Sequence, residues 1–268
     1  SIGLANSGSG NLSFAADNTG TSPISANIEV TPTFENEGIT CTGNPETFSI
    51  IVNPTAQVNS ISNQQLCNGE STNPIDFTTN NSGGTTIYSW TIDESIGLSP
   101  QSGTGNIGAF TAINSGVDPI IATIEVVPQF ENGGTTCNGP SESFTITVYP
   151  TPIVSSESEI TICSGEALNY NITSETTGTT YSWTASNNVG SGTSSTISDV
   201  LTNAGAADGK VTYTIIPTAN SCPGPEFKLE VTVLNCDPKI GVAKQLVSTS
   251  YNEDGTAEVL FNIRVQNY

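Results

Sequence analysis

The residues best suited to covalent chemistry are six cysteines, which occupy two kinds of position. Two of them begin a Cys-x-Gly-Glu stretch, at Cys67 and Cys163. Three others are followed at the second position by glycine: Cys41, Cys137 and Cys222. The sixth, Cys236, fits neither pattern. No Cys-x-x-Cys pair is present and the chain has no histidine, so these cysteines do not indicate a metal site. They indicate disulfides formed in an oxidising, extracellular environment.

Acidic residues are the other candidates for chemistry, and they number 25. Because histidine is absent, a Ser-His-Asp or Cys-His arrangement is excluded. Paired carboxylates can cleave glycosides, but the acids recur at equivalent places in the chain, as Glu70 and Glu166 do. A catalytic pair is expected once, whereas a recurring acid is expected in a scaffold. We therefore predict no catalytic site and no enzyme activity.

Calcium is the one cofactor that the acids suggest. Candidate oxygen ligands are provided by Asp93, Glu94, Asp118 and Asp254. No EF-hand loop or alternating Asp series supports them. Asp254 also precedes a glycine, which is an ordinary signal for a hairpin turn. A structural calcium ion at these residues is therefore one hypothesis, and an ordinary hairpin turn is the alternative for Asp254.

A segment of the chain occurs twice, ninety-six positions apart. Phe34–Cys41 reads FENEGITC and Phe130–Cys137 reads FENGGTTC. This period is too long for a solenoid unit and suits one small β-sandwich domain. The chain is therefore interpreted as an array of similar modules.

The secondary structure within each module is predicted to be β. Apolar and polar residues alternate with a period of two in segments such as Ile24–Val30 and Phe144–Val148, and no helical period is present. Gly, Asn, Ser, Asp and Pro interrupt these segments at short intervals. Trp90 and Trp183 fall within strands, where a core position is favoured over a ligand-binding one. We predict an all-β fold of tandem Ig-like β-sandwich domains in a rod-like array, since proline-containing junctions leave little linker.

Aligning the repeats divides the chain into four segments. Residues 56–151 form a complete repeat, and residues 152–234 a shorter, diverged one. Residues 1–55 match only the later part of a repeat, so about thirty-nine residues of that module are expected upstream. Residues 235–268 begin a different β-sandwich repeat.

Two schemes for pairing the cysteines remain open. Within modules, Cys67 would bond Cys137 and Cys163 would bond Cys222. In a seven-strand sandwich, however, these turns lie at opposite ends of strands about 26 Å long, whereas a disulfide needs Cα atoms within about 7 Å. The alternative scheme crosses the module junctions and is slightly favoured: Cys67 with Cys222, and Cys163 with Cys236. It sends Cys41 and Cys137 to partners further upstream.

The charge of the chain limits its partners. Its formal net charge is −20, and residues 1–209 contain no lysine or arginine. A surface this acidic repels phosphate backbones, so nucleic-acid binding is excluded. No apolar run reaches the length of a membrane span.

Several motifs resemble those of a known repeat family. The stretch ICSGEALNYNITSETTGTTYSWT and the pattern F-x-A-x-N-x-G are similar to PKD-like (Ig-like) repeats of very large Bacteroidota surface adhesins. The tail IGVAKQLVSTSYNEDGTAEVLFNIRVQNY resembles the start of another β-sandwich repeat of those proteins. The PKD signature W-x-F-G-D-G is absent. The resemblance implies type IX secretion, display on the cell surface and, in gliding bacteria, a motile adhesin filament.

The resulting functional hypothesis is structural. The chain would be a stalk segment of a long extracellular adhesin that holds a distal binding region away from the cell. Its partners would be neighbouring modules of the same chain, surface glycans, or outer-membrane motility and secretion machinery. Two alternatives stay open: the modules themselves bind glycans or proteins, or they are accessory modules of a secreted hydrolase.

Overall fold

The computed structural model describes residues 2–236 and 240–267. It divides the chain into two compact units. The first contains Ser1–Pro152 with the short pieces Thr176–Gly178 and Ala219–Cys222, and the second contains the remainder. Residues 237–239, at the start of the predicted fourth segment, lie outside the described residues, as do Ser1 and Tyr268. The division into four segments stays a prediction.

The first unit opens with two small pairs of strands. Their bounds are β1 (Ile24–Val30), β2 (Thr33–Asn36), β3 (Ile39–Thr42) and β4 (Glu46–Val52). β1 pairs antiparallel with β4, and β2 forms a hairpin with β3. The turn of that hairpin is Glu37-Gly38, where both residues have positive φ, as a two-residue type I′ turn requires.

This first module exposes apolar positions that the next module buries. Phe34 is 69% exposed and Phe48 is 47% exposed. Their counterparts ninety-six residues later, Phe130 and Phe144, are 0% and 2% exposed. The same sequence pattern therefore forms strands at equivalent positions in both places, but only in the second place are its phenylalanines buried in a core.

The complete repeat in the first unit folds as a β-sandwich. The strands of its main sheet are β5 (Gln64–Cys67), β6 (Thr85–Ile92), β7 (Ser102–Thr104), β8 (Ile120–Asn132), β9 (Thr135–Asn138) and β10 (Glu142–Tyr149). The order is β5-β10-β8-β6-β7, with β9 paired to β8. Only the β5–β10 pair is parallel. A second layer is formed where Ser71 and Ile75 bridge Thr111 and Ile107.

Alternating residues of β8 and β10 form the core between these layers. Ile124, Val126, Ile146 and Val148 are fully buried, which confirms the period-two reading of these segments. Trp90 is 7% exposed and belongs to the same cluster. Its indole N–H donates to the carbonyl of Gly105 at 3.1 Å, which satisfies the one polar atom of the ring.

The diverged repeat has the same main-sheet topology. Its strands are β11 (Glu159–Cys163), β12 (Tyr170–Asn171), β13 (Thr180–Ala185), β14 (Ser191–Gly192), β15 (Thr196–Ile197), β16 (Gly209–Ala219), β17 (Cys222–Pro223) and β18 (Phe227–Leu234). The main sheet runs β11-β18-β16-β13-β14, with β17 paired to β16, and β12 pairs with β15 in the other layer. Trp183 is 7% exposed within this core.

A separate hairpin follows. β19 (Ile240–Tyr251) and β20 (Ala257–Asn267) pair antiparallel around a turn that contains Gly255 at φ +83°. Asp254 therefore lies in a hairpin turn, as its sequence context indicated. The one helical piece in the described ranges is a 3-10 turn at Ser186–Asn188, and none of their helices is long and apolar enough to cross a bilayer. The predicted all-β fold of Ig-like sandwiches is confirmed.

Candidate functional site

The Cys-x-Gly-Glu turn carries the chain from the main sheet to the second layer. Gly69 has φ +88°, a conformation that favours glycine. The Glu70 carboxylate turns back and accepts the backbone N–H of Cys67 at 2.8 Å. The N–H of Asn68 donates to the carbonyl of Tyr149 on β10, and the N–H of Gly69 donates to Ala112 in the second layer, both at 2.8 Å. The turn thus holds the cysteine between the two layers with its backbone satisfied.

The second copy of the turn is wired in the same way. Gly165 has φ +89°, and the Glu166 carboxylate accepts the N–H of Cys163 at 3.0 Å. The N–H of Ser164 donates to Leu234 and that of Gly165 to Leu201, again at 2.8 Å. The recurring glutamates predicted to serve the scaffold do so through this bond.

The cysteine of each turn forms a disulfide. Cys67 is bonded to Cys222 with Cα atoms 5.5 Å apart, and Cys163 is bonded to Cys236 with Cα atoms 5.4 Å apart. Cys67–Cys222 lies inside the first compact unit, to which residues 219–222 belong, and Cys163–Cys236 lies inside the second unit. This is the pairing of the junction scheme, and neither of the two bonds expected within modules is formed.

The cysteine that meets the turn comes from a hairpin. In the diverged repeat the hairpin turn is Asn220-Ser221, and Cys222 directly after it is 1% exposed. The equivalent cysteines, Cys137 on β9 and Cys41 on β3, are free thiols, half-buried and exposed respectively. Their hairpins are longer, since two further residue pairs separate each cysteine from its turn.

An asparagine fastens the neighbouring loop to the last strand of each repeat. Asn114 is 2% exposed, and its Nδ2 donates to the carbonyls of Asp118 at 2.8 Å and Val148 at 2.7 Å. Its Oδ1 accepts the N–H of Gly116 at 2.9 Å, and its own N–H donates to Oδ1 of Asn68 in the cysteine turn. The loop and the turn are therefore one hydrogen-bonded structure.

Equivalent asparagines make the same bonds in the other two modules. Nδ2 of Asn18 donates to Val52 at 2.8 Å, and Nδ2 of Asn203 donates to Val233 at 2.9 Å. Sequence reasoning used the F-x-A-x-N-x-G pattern only as a family resemblance and assigned no role to these residues. The signal that identifies them is the recurrence of Asn-x-Gly at the repeat interval.

The first unit also shows how one module joins the next. Oδ1 of Asn81 accepts the N–H of Gln57 at 2.8 Å, and its Nδ2 donates to the carbonyl of Thr55 at 3.1 Å. Ala56 between them is fully buried, and its carbonyl leaves no room for a Cβ at Gly139 in the hairpin that carries Cys137. The junction at residues 55–57 is therefore held by hydrogen bonds and packing.

The diverged repeat contains one strongly perturbed titratable group. Tyr213 is fully buried, and its hydroxyl donates to Oδ2 of Asp199 at 2.9 Å. Burial, and then the hydrogen bond and charge of Asp199, raise the pKa of Tyr213 far above its usual range. Tyr213 belongs to the core of the repeat, and Asp199 beside it is half-buried.

The acids proposed for calcium are placed separately. Asp93 and Glu94 follow β6, Asp118 precedes β8, and Asp254 lies in the β19–β20 turn; all four are exposed. Oδ1 of Asp93 accepts the N–H of Thr123 at 2.6 Å, and Oδ1 of Asp254 accepts the hydroxyl of Thr256 at 2.6 Å and its N–H at 2.9 Å. These bonds lower the pKa of Asp93 and of Asp254. Within residues 2–236 and 240–267, no three metal-ligating side chains gather into a cluster. Calcium binding stays a prediction.

Comparison with known proteins finds a family similar to part of the chain. Residues 160–238 match the family described as "PKD-like domain". This part of the chain is thus similar to a PKD-like domain, and the complete repeat in the first unit shares its strand order and its turn chemistry. No relative was detected among curated protein sequences.

Solved structures give only distant likenesses. The chain is 12% identical to mouse clustered PcdhgC3 EC1-3, with a TM-score of 0.34, covering 83% of this chain and 82% of that one. For mouse Cadherin-23 EC22-24 the identity is 13%, the TM-score 0.36 and the coverage 78% and 74%. At these scores the likeness adds no argument to the fold described above.

Proposed function

We propose that this chain is a stalk segment of a long extracellular adhesin, in which its modules provide length and stability rather than a ligand site. One observation carries the proposal. The polar side chains that recur from module to module form hydrogen bonds within the scaffold. The cysteine turns are bonded by Glu70 and Glu166, and the loops by Asn18, Asn114 and Asn203. Residues that recur in order to hold each module together are expected in a protein whose function depends on the repeated module itself.

The disulfides and the charge agree with an extracellular stalk. Four of the six cysteines are paired in the structure, which suits an oxidising environment. The formal net charge of −20 favours solubility and opposes self-association. Cell-surface display through type IX secretion, and a part in gliding motility, are further proposals that rest on the resemblance to Bacteroidota adhesin repeats.

The first test measures dimensions and stiffness in solution. A single compact domain of 268 residues would have a radius of gyration of about 18 Å. Small-angle X-ray scattering on the oxidised chain is expected to give a clearly larger value that does not change with salt. A value near that of one compact domain would contradict a stalk.

The second test separates the stalk from a binding module. The oxidised chain is applied to a glycan array, and any hit is measured by calorimetry. No binding in the micromolar range is expected. Reproducible micromolar affinity for one glycan class would replace the stalk by the alternative in which the modules bind ligands. An accessory role in a hydrolase would instead predict binding to an insoluble polysaccharide, which a pull-down measures.

A further inference from the structure

The two disulfides close overlapping loops of the chain. Cys67–Cys222 spans a sequence separation of 155, and Cys163–Cys236 spans 73. Cys163 lies inside the first loop, whereas Cys236 lies beyond its end. More than one covalent route therefore joins the two ends of the chain, and a pulling force is carried by the shortest of them.

We propose that Cys67–Cys222 is a mechanical clamp, which limits how far the chain extends when it is pulled from its ends. The shortest covalent route runs through residues 1–67, across the disulfide, and on through residues 222–268. It contains 114 of the 268 residues. Residues 68–221 lie off this route and bear no tension along the backbone while the bond is intact.

The residues off the route form most of both β-sandwiches. They include β6, β8 and β10 of the complete repeat and β13 and β16 of the diverged one. Unfolding of these strands cannot lengthen the chain while the clamp is closed. Because an extended residue spans about 3.5 Å, the bond withholds about 540 Å of contour length.

Cys163–Cys236 limits the extension of the chain only after Cys67–Cys222 has opened. While Cys67–Cys222 is intact, the shortest route runs directly from Cys222 through Cys236 and does not cross the Cys163–Cys236 bond, so opening this second bond does not change the limit. If the first bond opens, the route becomes residues 1–163 and 236–268, which is 196 residues. The second bond then withholds residues 164–235, or about 250 Å.

This inference depends on the connectivity of the disulfides and does not require the stalk function. For a stalk, the consequence is that unfolding of a sandwich under load would not let the filament lengthen by the contour of that sandwich. For a binding module, the same clamp would hold equally. The two proposals therefore fail in different experiments.

Single-molecule force spectroscopy tests the clamp. Handles are attached at residues 1 and 268, and Cys41→Ser and Cys137→Ser are introduced to prevent thiol exchange. The oxidised chain is expected to reach a full extension of about 400 Å. Adding Cys67→Ser and Cys222→Ser should lengthen it by about 290 Å. The matched control, Cys163→Ser with Cys236→Ser, should leave the limit of about 400 Å unchanged.

Once its disulfides have formed, the full extension of a variant depends on their connectivity alone, and a mass measurement before and after alkylation verifies that Cys67–Cys222 is closed in the control. A second measurement on one oxidised molecule tests the clamp without any cysteine-pair variant. Dithiothreitol added to the oxidised chain under load should release about 540 Å in total. A clamped chain that extends past about 400 Å before reductant arrives overturns the proposal. So does a control variant that lengthens as much as the Cys67→Ser and Cys222→Ser variant.

Discussion

Asn114 Nδ2 lies 2.7 Å from the carbonyl oxygen of Val148, and this bond fastens the loop before β8 to the last strand of the repeat. Asn114 is 2% exposed, so the three hydrogen bonds of its side-chain amide, with Asp118, Val148 and Gly116, are made in a site from which water is excluded. The side chain thereby connects the loop to the last strand, as corresponding asparagines do in the other two modules, and the backbone N–H of Asn114 adds a bond to Asn68 in the cysteine turn.

Removal of this side chain is expected to weaken the complete repeat. Asn114→Ala leaves the carbonyls of Asp118 and Val148 without their donor and the N–H of Gly116 without its acceptor. The expected loss in free energy of unfolding is about 2–4 kcal/mol, because buried groups are left unsatisfied. Urea unfolding followed by Trp fluorescence measures it. Asn80→Ala, at an exposed position, is the control and should change stability by less than about 0.5 kcal/mol.

The glutamate of the cysteine turn is expected to assist disulfide formation. Glu70→Ala removes the acceptor of the Cys67 N–H, whereas Glu70→Gln keeps an acceptor in place. We expect Glu70→Ala to cost about 1 kcal/mol and to slow formation of Cys67–Cys222 during oxidative refolding, with Glu70→Gln closer to the unchanged chain. Exposed Glu94→Ala is the matched control. Equal refolding rates for all three variants would show that the carboxylate is dispensable.

The disulfide connectivity is expected to appear directly in peptide mapping. Trypsin leaves residues 1–210 uncut because Lys210 is the first cation, so a Glu-specific protease is needed. Under non-reducing conditions we expect one peptide pair joined through Cys67 and Cys222 and another through Cys163 and Cys236. A Cys67–Cys137 pair would instead establish bonding within modules. Iodoacetamide should label Cys41 fully before any reduction.

The diverged repeat is expected to lose stability in alkali through Tyr213. Its pKa is raised in the folded state, so above pH 10 the unfolded chain releases this proton while the folded chain keeps it. The free energy of unfolding therefore falls as pH rises above 10, by at most about 1.4 kcal/mol per pH unit from this group. Tyr213→Phe should remove this part of the slope. Tyr251→Phe, at a residue 83% exposed, should leave the slope unchanged in the same alkaline urea titrations.

Tyr213→Phe also reports on the pair at neutral pH. The variant leaves Oδ2 of Asp199 without its phenolic donor, and we expect it to cost about 1–3 kcal/mol at pH 7. If Tyr213→Phe matched the unchanged chain at both pH values, the hydrogen bond to Asp199 would contribute nothing to stability.

The sequence by itself determined the modular β architecture. Alternation with a period of two places Ile124 and Val126 on one face of a strand, and the ninety-six-residue echo repeats that pattern, because a pleated strand exposes successive residues to opposite sides. The sequence also placed Cys67 and Cys163 in turns, and the structure has turns there, with Gly69 and Gly165 at positive φ. These features are local, so neighbouring residues suffice to specify them.

Only the tertiary structure decided which groups meet. The sequence favoured Cys222 only slightly over Cys137 as the partner of Cys67, because a cysteine's neighbours in sequence do not fix which distant turn comes within bonding distance. For the same reason the sequence did not predict the role of Asn114, whose partners lie on the last strand and in the cysteine turn. It did not predict the Tyr213–Asp199 pair either. Contacts between residues far apart in the chain depend on how the layers pack, and packing is a property of the whole repeat.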